Sequence, residues 1–155
     1  MYAFLDQSPS CLSSGSCFLL SAKRGWIMAS AQRHCPSLAL AGWFSRMNLL
    51  EAVNDFSAVM QEFHRSGRQQ MLVRDLTYPR ITEFEAVMIA LWADVATQRT
   101  TEAGAVLELM LTEQQVPRTL ASMQRMAMAM RAIGLPPIGL EQAVDQGAET
   151  DRKSH

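Results

Sequence analysis

The sequence predicts an all-α fold: a small bundle of about four helices, at 47–66, 82–97, 101–115 and 117–133, with poorly ordered N-terminal and C-terminal segments. Three observations carry this expectation. From Met47 onward, apolar residues recur at three- and four-residue spacing, the period of one helix face. A helix-start motif, Thr82 to Glu85, and a helix-stop motif, Gly134 followed by Pro136 and Pro137, bracket the densest part of that pattern. The best extended signal is one short piece, Met71–Arg74, in a connector that Pro79 keeps out of helical geometry.

The first expected helix places Leu49, Val53, Phe56, Met60 and Phe63 within about 80° of arc at ~100° per residue. Glu51, Asp55 and Glu62 fall opposite, as a solvated face, and Ser66-Gly67 ends the helix. In the second, Thr82 offers an oxygen to one free backbone N–H and Glu85 reaches back for another, a capping box. Its main seam is Phe84, Met88, Leu91 and Val95. Ala86, Ile89 and Trp92 make it apolar nearly all round, so it is central in a bundle or offers a second face to a partner.

The third helix follows Thr100 or Thr101 and turns Ala103, Val106, Leu107, Met110 and Leu111 inward, weakened by Gly104. Pro117 suits the first turn of the fourth. There Met123, Met126, Met130 and Ile133 share one side and read as flexible core filling. Met128 points nearly the other way, beside Gln124, Arg125 and Arg131, where an exposed methionine indicates contact with another molecule. No His or Cys stands near these methionines to complete a soft metal site.

Residues 1–46 read differently. They hold nine serines, all three cysteines and one acid, Asp6, and no helical period persists. The expectation is a disordered or extraneous extension outside a helical domain at 47–140, with 141–155 a polar tail. Met28 and Met47 are candidate starts, and the acid-poor stretch from Ser21 to Arg46 has transit-peptide composition. On this division a chain beginning at Met47 keeps its melting temperature. Cys11, Cys17 and Cys35 lack the close ligand pairs of a zinc site and read as free thiols of a reducing, cytoplasmic protein.

With 155 residues, 48% of them hydrophobic, the chain is long enough for one domain with a real core. A net charge of −1 points to neither nucleic acid nor lipid, and no apolar run approaches the ~20 residues of a membrane span. The histidines His34, His64 and His155 are isolated, and no phosphate-binding, dinucleotide, nucleophile-elbow or zinc-protease motif occurs. No enzyme activity, metal or cofactor is expected.

The expected function is a small helical interaction or regulatory protein. It uses an apolar helix face, with Ile89, Trp92 and Met128 meeting a protein partner or a second copy. The alternative is a helix-turn-helix-like DNA-binding regulator. Its second helix, 117–133, carries Arg118, Arg125 and Arg131 and no acid, and Arg118, Thr119, Ser122 and Arg125 take the base- and phosphate-facing positions. Glu102, Glu108 and Glu113 on the preceding helix and turn would repel phosphates.

Overall fold

A computed structural model describes residues 12–66 and 80–138. The described chain is all-helical, with six α-helices rather than about four and no strand. The extended piece expected at Met71–Arg74 and the polar tail at 141–155 lie outside the described residues.

The correction to the helix count falls on the segment expected to be poorly ordered. Helix α1 spans Ser14–Ala31 and α2 spans Pro36–Arg46. The Ser13 hydroxyl accepts from the Ser16 N–H at 3.2 Å and so caps α1. Pro36 opens α2 in the first turn, where its missing N–H costs nothing. Eleven of the 18 residues of α1 are buried, spread round its circumference. A helix covered on several sides has no polar stripe, and so no amphipathic period to read.

A 3-10 turn at Leu50–Ala52 leads into α3, Val53–Ser66, so the first expected helix begins six residues later than 47. Its five predicted inward residues are all buried. Helix α4, Glu83–Ala96, starts on the expected capping box: Glu85 N–H donates to Thr82 Oγ1, and Thr82 N–H donates to the Glu85 carboxylate at 2.9 Å. Helix α5 runs Thr100–Met110 and α6 runs Gln115–Ala132. A second reciprocal pair, Thr112 with Gln115, shapes the turn into α6.

The helices form two groups of three, α1–α3 and α4–α6, packed together through α3 on α6 and α1 on α4. Arg118 reaches Glu62 and Arg125 reaches Asp55, so α3 and α6 run antiparallel. Aromatic rings link the groups: Phe18 lies 5.1 Å from Phe44, Phe44 is 5.9 Å from Phe56, and Phe56 stacks on Trp92 at 6.5 Å. Met123, Met126 and Met130 are fully buried in this core, as their spacing predicts. A smaller core of Leu12, Leu20, Ile81, Ala86 and Ile89 sits between α1 and α4.

Candidate functional site

Four helices end alike, and one of these ends borders a surface groove that also meets α6. At α1, α2, α4 and α6 a left-handed residue turns the chain, and the next N–H bonds back five residues to the helix. Gly134 is the expected one; Arg33, Asn48 and Gln98 hold the same conformation with a side chain. At the end of α4, Gln98 turns the chain toward α5, and the Ala96 carbonyl faces α6. The Arg131 guanidinium donates to the Ala96 carbonyl and ties α6 to that end.

The groove left between these elements has a volume of about 250 Å³. Val95, Ala96 and Ala127 form its apolar floor, and Gln98, Thr100 and Gln124 supply neutral polar groups at its edge. Met128 lies on its wall and is 72% exposed. Its one charged group, Arg131, is already engaged with a backbone carbonyl. Among the described residues the groove is lined by no carboxylate, imidazole or thiol, and what it offers is apolar contact with a few hydrogen bonds.

Of the partner-facing residues expected from the sequence, only Met128 is at the surface. Ile89 and Trp92 are fully buried, which corrects their placement on an available face. The second apolar face of α4 is real, but α1 covers it: Ile89 packs in the small core against Leu20 of α1. Trp92 lies in the main core against Phe56.

The four residues of the nucleic-acid alternative are brought together, but on the α3–α6 seam. Thr119 and Ser122 are buried. Arg118 pairs with Glu62 at 3.1 Å, and Arg125 pairs with Asp55 at 2.9 Å while also donating to the Ser122 hydroxyl. Thr119 and Ser122 are therefore covered, whereas the Arg118 and Arg125 side chains pair with α3 at its surface and stay 57% and 60% exposed. Asp55 and Glu62 are correspondingly not a solvated face. They point at α6, where Glu62 also accepts Gln115 Nε2 on its backbone oxygen.

The arrangement that sequence reasoning missed is a buried ionic cluster. Lys23 and Arg24 of α1 have side chains only 1% exposed, and both meet Glu85 of α4, which is fully buried. Lys23 Nζ lies 2.7 Å from Glu85 Oε2, Arg24 Nε lies 2.9 Å from the same oxygen, and Arg24 also donates to Glu85 Oε1 and to the Arg80 carbonyl. Burial pushes the Glu85 carboxyl up. The Arg24 hydrogen bonds, the charge and hydrogen bond of Lys23 and the Thr82 N–H outweigh it and bring it down to about 2. The one available signal was two adjacent cations inside "FLLSAKRGWIM", an apolar stretch that a solvated segment would not carry. The cluster is closed to solvent and joins the two helix groups.

Among the described residues no three His, Cys, Asp or Glu side chains gather as metal ligands, and no helix is long and apolar enough to cross a membrane. No family model, curated protein or solved structure matches this chain.

Proposed function

We propose that the protein is a helical interaction module whose partner site is the groove between the end of α4 and the outer face of α6. The observation that carries this reading is Met128: a large flexible apolar side chain, 72% exposed, on the wall of a groove with an apolar floor. Methionine is suited to such a wall because its unbranched thioether repacks around differently shaped partners. The groove's neutral edge fits an apolar side chain presented by another polypeptide, with Gln98 and Gln124 available to its backbone. The reading is regulatory or structural rather than catalytic, because among the described residues no carboxylate, imidazole or thiol lines the site to act as a base or activate a nucleophile.

The test places a photo-crosslinking residue at Gln124, on the groove, and a control one at exposed Gln61 of α3, in cells that make the protein. The expected result is a discrete adduct from position 124 alone. Met128→Glu should abolish it while leaving circular dichroism and melting unchanged. No adduct, or one indifferent to Met128→Glu, would sink the reading. The adduct's mass separates a second copy from another protein.

A further inference from the structure

Two other surfaces stand out, on different flanks of the molecule. Helix α2 packs on α1 and α3; helix α5 packs on α4 and α6. Each carries an exposed leucine: Leu38 on α2 and Leu109 on α5 are both 77% exposed, the highest values among the exposed large apolar residues described. The two helices have the same length, 11 residues. Their charges are opposite.

No acidic residue occurs from 7 to 50, and Arg33 and Arg46 stand exposed at the two ends of α2, with exposed Glu51 on the turn that follows it. No basic residue occurs from 100 to 117, and Glu102, Glu108 and Glu113 stand exposed around Leu109. Asp55, Glu62, Glu85 and Asp94 all have ion-pair partners. These three glutamates have none among the described residues, as is also true of Glu51 and Glu83, and neither do Arg33 and Arg46. Small exposed residues lie beside each leucine, Ala39 and Gly42 on α2 and Ala105 on α5. Gly42 is a mid-helix glycine whose added Cβ would meet nothing within 4 Å. Glycine there weakens the helix, and no packing among the described residues requires it. Close approach of a second helix would.

We propose that the chain self-associates head to tail, with the basic face of α2 around Leu38 and Gly42 docking on the acidic face of α5 around Leu109 in the next copy. Like faces repel and unlike faces attract, so the contact is heterologous: it leaves a free α2 face at one end and a free α5 face at the other, and continues as a ring or filament. Leu38 and Leu109 supply the apolar centre, and the charges fix which faces meet. This surface is separate from the Met128 groove, and the inference stands or falls without that reading.

The experiment measures mass in solution by light scattering for the full chain, across protein concentration and at low and high salt. The wild type should grow beyond a monomer with concentration and lose mass as salt is raised. Leu38→Glu and Leu109→Arg, each at an exposed position, should both melt as the wild type and both remain monomeric. Gly42→Leu should behave likewise, with an equal or higher melting temperature. Mixed in equal amounts, Leu38→Glu and Leu109→Arg should form a dimer of one copy each, because each keeps the face the other lacks. A wild type that stays monomeric at millimolar concentration overturns the proposal. So does assembly that survives any of the three changes, or a mixture of the two monomeric variants that fails to pair.

Discussion

Glu85 closes the capping box of α4 through Thr82 and pairs with both Lys23 and Arg24 across the α1–α4 interface. Its depressed carboxyl makes stability depend on pH in a definite direction. The folded protein holds it at about 2 against an ordinary 4.5, so its contribution is complete above about pH 5 and is lost as the pH falls toward 2. A depression of that size corresponds to about 3 kcal/mol. Glu85→Gln should cost about 3–5 kcal/mol in urea unfolding at pH 7, because two cations are left buried without their carboxylate. It should also flatten the stability profile between pH 5 and 2. A variant that unfolds at the wild-type urea concentration would mean that water reaches the cluster. Gly15 shows the opposite kind of constraint. A Cβ there would overlap the carbonyl oxygens of Leu135 and Pro136, so the start of α1 fits against the segment after α6 only without a side chain.

Helix ends were the most legible features at the scale of elements, because capping is local chemistry. The Thr82–Glu85 box and the Gly134 stop can be read within a few residues, and both are formed. The other three left-handed ends, at Arg33, Asn48 and Gln98, carry side chains and lack the glycine that marks such a turn in sequence. Two substitutions therefore move stability in opposite directions. Gln98→Gly should stabilise by about 0.5–1 kcal/mol, the left-handed strain of a side chain reduced by the greater freedom of glycine when unfolded. Gly134→Ala should destabilise by about 1 kcal/mol, because its φ of +79° then carries a side chain. Urea midpoints of the two variants would check the pair. Helix α3 marks where periodicity succeeds and stops: its inward residues are buried as their spacing predicts, but Asp55 and Glu62 on its acidic side meet α6. Spacing shows that Asp55 and Glu62 face away from Phe56 and Phe63; it does not show that α6 brings Arg125 and Arg118 there.

For the molecule as a whole, the N-terminal helices decide stability. Phe18, Leu19, Ala22, Trp26, Ile27, Leu40 and Phe44 are all part of the main core. Burying a large apolar side chain is worth about 1.5–3 kcal/mol, so losing this set removes about 10 kcal/mol or more. A domain of this size has roughly 5–15 kcal/mol in total. A chain beginning at Met47 should therefore lose its cooperative melt in calorimetry, the reverse of what composition led us to expect. A sharp transition near the full-length temperature would show that α3–α6 fold without α1 and α2.

The sequence by itself determined the helical class, the inward faces of α3 to α6, the core role of Met123, Met126 and Met130, and the outward position of Met128. These follow from a period of 3.6 residues and from caps a few residues long, and both are written in neighbouring positions. Only the tertiary structure decided that α1 and α2 complete the core, that Ile89 and Trp92 are covered, and that Arg118, Thr119, Ser122 and Arg125 form a seam with α3. The physical reason is separation along the chain. Lys23 meets Glu85 across 62 residues and Asp55 meets Arg125 across 70, and nothing in local spacing records which face a distant helix will cover.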